Sequence, residues 1–184
     1  ELYNVHKCIV PKKVEYNNDL FTMTYRDTDG RENKITADSL LVACGIVPNT
    51  DKLGLENTGI KLKAKGFVQV NDHLETSVPG VYALGDCVGN YFFRHSVNFE
   101  GEYLLRTLFV EKNREPIAYP PVPHAIFTHP QVAGVGKTED QLKADGVDYV
   151  VGLNPYQSSA MGMALLSDSG FVKILFDRKT RRIL

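Results

Sequence analysis

Thr76-Ser77-Val78-Pro79-Gly80-Val81-Tyr82-Ala83-Leu84-Gly85-Asp86 reads as a turn, a short buried strand and an acidic residue at the strand's exit. Val78-Pro79-Gly80 supplies the turn, because proline fixes φ and glycine tolerates φ > 0. Residues 81–84 are a continuous apolar run, the pattern of a strand covered on both faces. Gly85 has no side chain, so a ligand can approach the backbone. In open α/β sheets ligands bind beyond the carboxyl ends of the strands, which is where Asp86 stands. A carboxylate there can accept hydrogen bonds from hydroxyls of a sugar or ribityl chain; the plain alternative is a polar cap on a buried strand.

Working outward, two further runs have the same character. Residues 37–45 (Ala-Asp-Ser-Leu-Leu-Val-Ala-Cys-Gly) end in small residues, and Phe67-Val68-Gln69-Val70 follows a Lys65-Gly66 turn. Three such runs predict one sheet assembled from non-local pieces. Upstream, residues 5–14 are rich in β-branched residues, with Pro11 among them, residues 20–25 alternate, and Asp27-Thr28-Asp29-Gly30-Arg31 is a hairpin turn before Lys34-Ile35-Thr36. Residues 1–37 are thus predicted to be a small antiparallel meander.

Downstream of Asp86, an aromatic loop (Tyr91-Phe92-Phe93) precedes a helix predicted to start near His95-Ser96, with Ser96 as a cap and Glu100 and Glu102 early in the helix, where acids favour its dipole. Val97, Gly101, Leu104, Leu105 and Leu108 form its expected apolar face. The helix pattern fails by Asn113, and Tyr119-Pro120-Pro121-Val122-Pro123 reads as a domain boundary. Beyond it, residues 124–128 read as a strand, Thr138 opens a helix with Asp140 and Gln141 in its first turn, and residues 149–153 and 171–176 read as strands. Residues 121–184 are read as an α+β domain that continues beyond Leu184, and the chain, which opens on Glu1 rather than Met, as a piece of something longer.

Composition narrows the function classes. The 184 residues are 43% hydrophobic and 23% charged with a net charge of −1, ordinary for a globular protein. Lys and Arg are scattered, with no stripe for nucleic acid and no polybasic patch for a membrane. No apolar run approaches transmembrane length. Cys8, Cys44 and Cys87 are widely spaced and form no redox pair, zinc pattern or disulfide framework, which points to a reducing, cytoplasmic setting. There is no GxGxxG or P-loop, and no metal site or catalytic set is expected within these residues. A carboxylate beside Cys87 would raise its thiol pKa, the wrong direction for a nucleophile, so Cys87 reads as a small filler. Gly134 and Gly136 read as close strand packing, and His129 as a turn residue. His95, at a helix start near Asp86, reads either as a histidine packed in its own helix cap or as half of a two-part site, in which the acid binds hydroxyls and the helix end favours negative charge.

Several ordered segments resemble one family. Ala37-Asp38 with residues 41–45 and Pro48-Asn49-Thr50 resembles its "aD-lLvAtGr-PNt" segment, and residues 76–86 its "T-vpgvyAiGD" flavin motif. Arg94-His95-Ser96-Val97 resembles its "AHKA" helix start. Phe127-Thr128-His129-Pro130 through Thr138-Glu139 resembles "fThPevA-vG-TE", and Gly170-Phe171-Val172-Lys173 resembles "GFvKi". The family is the flavin-dependent pyridine nucleotide–disulfide oxidoreductases, which include dihydrolipoyl dehydrogenase and the glutathione, mycothione and mercuric reductases.

The resemblance implies an α/β fold: the end of an NAD(P)-binding domain in residues 1–37, the second half of a Rossmann-like FAD-binding domain in 38–120, and the start of a dimerisation domain in 121–184, through which a homodimer would form. It implies cofactor-binding roles for Gly85, Asp86 and Cys87, for Arg94 and His95 at the helix start facing the flavin, and for Gly45 where the backbone meets NAD(P). The expected reaction passes electrons between NAD(P)H, FAD and a small disulfide or lipoyl-protein substrate, most like dihydrolipoyl dehydrogenase. The family's glycine-rich motifs, CxxxxC pair and C-terminal His-Glu pair lie outside this chain, which is therefore expected to be inactive alone. Ile46 replaces the arginine that usually follows Gly45. Residues 158–164 lack the arginine of the lipoamide-type segment and look closer to mycothione-like variants. Mycothione or mercuric reductase-type enzymes, and a non-catalytic dimer-forming module, are the alternatives.

Overall fold

The structure is a computed structural model that describes residues 3–111 and 114–184. The predicted helix end at Asn113 and the start of the meander at Glu1-Leu2 lie outside the described residues. The chain divides into two compact units, Glu1–Val47 and Pro48–Leu184.

The first unit is built on a three-stranded antiparallel meander: β1 (Val10–Asn17), β2 (Leu20–Arg26) and β3 (Glu32–Ala37), in that order. The β1–β2 hairpin closes on Asn18 and Asp19, both at positive φ (51° and 59°), which the right-handed strand twist requires of a two-residue turn. Asn and Asp tolerate that conformation, so the turn was readable in Asn17-Asn18-Asp19-Leu20. Between β2 and β3, the Asp27 carboxylate accepts the backbone N–H groups of Asp29 (3.0 Å) and Arg31 (2.8 Å), with Gly30 at φ 78°. These bonds, with a side-chain bond from Asn33, hold the Asp27 carboxyl below its ordinary range. Thr24 and Tyr25 are buried on β2.

Residues 37–45 do not continue as a buried strand. After β3 the chain has no regular structure through Val47, and Leu41 and Val42 are exposed (90% and 69%). In the second unit, residues 67–70 and 81–84 make only isolated bridges (Leu62↔Val68, Val70↔Thr76, Glu75↔Tyr82), and Val81 is exposed. The apolar pattern of all three runs was read correctly, but a parallel strand needs hydrogen-bonded neighbours, and no described residue supplies one.

The second unit packs around Leu74, Tyr103 and Leu104, joined by Val70, Tyr82, Leu84 and Ile117. Asn71 Oδ1 accepts the N–H groups of His73 (2.9 Å) and Glu75 (3.0 Å), turning the chain so that Leu74, at φ 58°, points into this core. Helix α1 (Arg94–Phe109) supplies the opposing face. Beyond it come β4 (His124–Ile126) paired antiparallel with β5 (Val132–Gly134), helix α2 (Glu139–Ala144), β6 (Tyr149–Pro155), helix α3 (Ala160–Ala164) and β7 (Phe171–Asp177), which pairs antiparallel with β6. A Cβ on Gly134 would stand 3.0 Å from the His124 ring, in keeping with the close-packing reading of that glycine. His129 precedes a cis proline in the turn between β4 and β5. α2 begins on a complete capping box: Gln141 N–H donates to Thr138 Oγ1 (3.3 Å) and Thr138 N–H to Gln141 Oε1 (2.8 Å), with Leu142 buried beneath. The short α3 went unread in the sequence; Ser159 Oγ caps it by accepting Gly162 N–H at 3.0 Å.

Candidate functional site

Gly85, Asp86 and Cys87 form a single 3₁₀ turn where the apolar run ends. Gly85 is buried at φ 74°, and a Cβ there would lie 3.1 Å from Val97 Cγ2 on α1. Backbone conformation and space both require glycine. The turn is held at several points. Gly85 N–H donates to Glu100 Oε2 (2.6 Å), Val88 N–H to the Gly85 carbonyl (2.9 Å), and Val68 N–H to the Cys87 carbonyl (2.8 Å). Cys87 Sγ–H donates to the Leu84 carbonyl at 3.2 Å. Burial raises the Cys87 thiol above its ordinary pKa, and the Glu100 and Asp86 carboxylates add to the shift. That disfavours the thiolate and a nucleophilic role.

Asp86 is exposed, and its carboxylate makes no hydrogen bond or ion pair to any described residue. The next element that matters is α1. It starts at Arg94, one residue before His95, and its cap position is Phe93, which offers no side-chain acceptor. The predicted cap, Ser96, lies instead inside the first turn; it is buried, and its Oγ has no partner among the described residues. Ser96 and Val97 N–H groups both turn back to the Phe93 carbonyl (3.1 and 3.2 Å), which leaves the N–H groups of Arg94 and His95 without a backbone acceptor. Arg94 and His95 are exposed, and the His95 ring stacks on Phe93 with centroids 5.2 Å apart and planes 12° apart.

The inner face of α1 also departs from expectation. Leu105 (61% exposed) and Leu108 (37%) point outward, and the buried positions are Ser96, Glu100, Tyr103, Leu104 and Thr107. Glu100 is therefore no dipole-facing surface acid: it is the most deeply buried polar side chain of the helix, 1% exposed. Most buried polar groups find hydrogen-bond partners. Tyr103 OH donates to the Glu115 carbonyl (2.7 Å), Thr107 Oγ1 to the Tyr103 carbonyl (2.8 Å), and Tyr119 OH to Glu100 Oε1 (2.5 Å). Burial first, and the Glu100 carboxylate next, push the Tyr119 phenol far above its ordinary pKa, against a lowering contribution from Asn90, whose Nδ2 donates to the same hydroxyl at 3.2 Å.

Gly85, Asp86 and Cys87 are thus brought into one turn packed on the first turns of the helix that carries Arg94 and His95. Gly45, at φ 100° and exposed, belongs to the first unit. Glu100 and Tyr119 were missed as site residues. The signal was present in the run Ser96, Glu100, Tyr103, Thr107, which repeats at helical spacing and marks a polar inner face once Leu105 and Leu108 are discounted. A hollow of about 190 Å³ bounded by Lys61, Gln69, Asn71, Glu75 and Ser77 contains none of these residues and is smaller than a usual ligand site. No cluster of His, Cys, Asp and Glu suited to a metal occurs among the described residues, and no described helix is long and apolar enough to cross a membrane.

Residues 4–103 match the pyridine nucleotide-disulphide oxidoreductase family, and residues 122–184 match its dimerisation domain. The chain belongs to this family. It is 40% identical over 163 residues to a dihydrolipoyl dehydrogenase of Cupriavidus necator, covering 89% of this chain and 34% of that protein. It is 37% identical over 172 residues to mitochondrial dihydrolipoyl dehydrogenase 1 of Arabidopsis thaliana, covering 93% and 34%. Among solved structures, LpdA of Mycobacterium tuberculosis superposes with a TM-score of 0.79 at 28% identity, over 96% of this chain and 37% of that one. The flavoprotein disulfide reductase RclA of Escherichia coli matches in fold, with a TM-score of 0.79 at 24% identity over 95% of this chain and 39% of its own. The chain spans about a third of the length of the curated relatives it matches.

Proposed function

We propose that the full-length protein is an FAD-dependent disulfide oxidoreductase that passes electrons between NAD(P)H, FAD and a disulfide or dithiol substrate, most like dihydrolipoyl dehydrogenase. Family membership and the 37–40% identity to dihydrolipoyl dehydrogenases support the class of reaction. Residues 1–37 are assigned to the end of an NAD(P)-binding domain, 38–120 to the second half of an FAD-binding domain, and 121–184 to the start of a dimerisation domain, through which the protein forms a homodimer. These 184 residues contain no closely spaced cysteine pair, so the reducible disulfide of the reaction is not theirs to supply.

The residues present fit a flavin dinucleotide. Asp86 offers a carboxylate with no partner among the described residues, directly after Gly85, which carries no Cβ. The start of α1 offers the unpaired N–H groups of Arg94 and His95 and the buried, unpartnered Ser96 Oγ. When bound, the flavin would accept and release the electron pair. Asp86 would accept hydrogen bonds from its ribityl hydroxyls, and the Arg94–His95 helix start would stabilise negative charge on the ring through the helix dipole. Cys87 lines the same turn as a neutral thiol. Gly45 lets the backbone of the first unit approach a pyridine nucleotide. The observation that carries this reading is the exposed Asp86 carboxylate, without a partner among the described residues, on a turn whose Gly85 N–H, Gly85 carbonyl and Cys87 carbonyl are all hydrogen-bonded.

Asp86→Ala in the full-length protein tests it. The variant is expected to purify with well under half the flavin of the parent, read from the visible absorption band against protein concentration. Unchanged flavin content would remove Asp86 from the cofactor site.

A further inference from the structure

Glu100 presents a problem that the fold alone does not answer. Its carboxylate is buried to 1% exposure. No Lys, Arg or His side chain pairs with it among the described residues. Burying an ionised carboxylate without a cation is costly unless strong hydrogen bonds replace its hydration. A glutamine would fill the same space and accept the same backbone N–H without that cost. A glutamine has one acceptor oxygen, so the second oxygen needs a reason other than packing.

The two oxygens are committed to two different segments. Oε2 accepts Gly85 N–H at 2.6 Å, and Oε1 accepts Tyr119 OH at 2.5 Å. A charge-assisted bond to a backbone amide is shorter and stiffer than a neutral one. The Gly85 residue is consequently pinned on both sides: its N–H by Glu100 and its carbonyl by Val88 N–H. Asp86 is the next residue, and its own carboxylate has no partner among the described residues. Its direction is set by the backbone that Glu100 holds. On the other side, Tyr119 is fixed by Asn90 and by the Tyr91 and Phe99 rings, with centroids 5.0 and 5.7 Å away. The anchor of the turn is thus tied to the segment that leads into the residue 122–184 region.

We propose that Glu100 is a positioning residue for Asp86: its carboxylate, held by Tyr119 through one oxygen and by Gly85 N–H through the other, fixes the Gly85–Cys87 turn so that Asp86 meets FAD hydroxyls already oriented. This rests on the flavin reading of Asp86 given above. Its physical content is preorganisation, since a carboxylate that need not be ordered on binding gains affinity without a new contact.

A double-mutant cycle on the full-length protein tests it, with FAD titrated into the flavin-free form and followed by quenching of flavin fluorescence. Glu100→Gln alone is expected to weaken FAD binding about tenfold, and Asp86→Asn alone by at least as much. Because Glu100 acts through Asp86, the double variant should bind no more weakly than Asp86→Asn. A purely structural role would make the two losses multiply, because groups that do not share a function are additive. Multiplying losses, or unchanged affinity in Glu100→Gln, overturns the proposal while leaving the flavin reading intact. Unchanged affinity in Asp86→Asn overturns both. Should Glu100→Gln fail to fold, Tyr119→Phe removes the hydroxyl that holds the other oxygen, and the same cycle with Asp86→Asn is read in the same way. Rescue by Glu100→Asp is not expected, because the shorter side chain cannot span both donors.

Discussion

Helices α1 and α2 begin in opposite ways. At α2, Thr138 and Gln141 satisfy each other's backbone N–H groups with neutral side chains one turn apart. At α1, the cap position is Phe93, and among the described residues the buried Ser96 hydroxyl has no partner and the N–H groups of Arg94 and His95 have no acceptor. A helix end closed by its own sequence is finished as structure. An end left open beside an exposed carboxylate has room for an acceptor, which in the reading proposed above a flavin would supply. The interior differs in the same sense. α2 buries Leu142, whereas α1 buries Glu100, whose partners come from Gly85 and Tyr119.

The largest effect that would break this contrast is expected at Gly85. Gly85→Ala must carry a Cβ at φ 74° and within 3.1 Å of Val97, so it should destabilise the protein by about 2–3 kcal/mol and release flavin. Thermal unfolding together with the visible spectrum reads both. A variant as stable as the parent would mean that the turn is not the rigid element described.

Thr138→Ala probes the other end. It removes one arm of the capping box and should cost about 1 kcal/mol with flavin content unchanged. Loss of flavin on this substitution would erase the distinction between the two helix starts.

The smallest effect is one of pH. The Tyr119 phenol has a folded pKa raised above its unfolded value, by burial and by the Glu100 carboxylate. A proton held more tightly in the folded state gives stability that is complete below the unfolded pKa, roughly pH 10, and is lost as pH rises from there toward the folded value. The α2 box is neutral and has no such dependence. Melting temperatures from pH 8 to 11 should therefore fall on the alkaline side, and the fall should be shallower in Tyr119→Phe. Identical slopes in the two proteins would separate Tyr119 from the anchoring of α1.

Local chemistry accounts for what could be read without coordinates. The meander, the β6 and β7 strands, the start of α2 and the positions of Gly85 and Asp86 follow from turn residues, alternation and capping, all of which act within a few residues of one another. The runs at 37–45, 67–70 and 81–84 have the composition of buried strands, but a strand is completed by hydrogen bonds from a neighbour. Among the described residues these runs find only isolated bridges or none. The α1 face failed for a related reason. Apolar spacing pointed to Leu104, Leu105 and Leu108; of these three Leu104 is buried while Leu105 and Leu108 are exposed, and Glu100, Tyr103 and Thr107 turn inward to polar partners.

By itself, then, the chain determined its family, its turns, its hairpins and the residue that ends the apolar run. These are properties of short stretches, where each residue's conformational preference and its near neighbours dominate the energy. Which polar groups are buried was decided only in three dimensions. Glu100 lies inside because Gly85 N–H and the Tyr119 hydroxyl, 15 and 19 residues away in the chain, converge on its two oxygens. No local pattern encodes such a convergence; it exists only once the turn, the helix and the proline-rich segment have packed together.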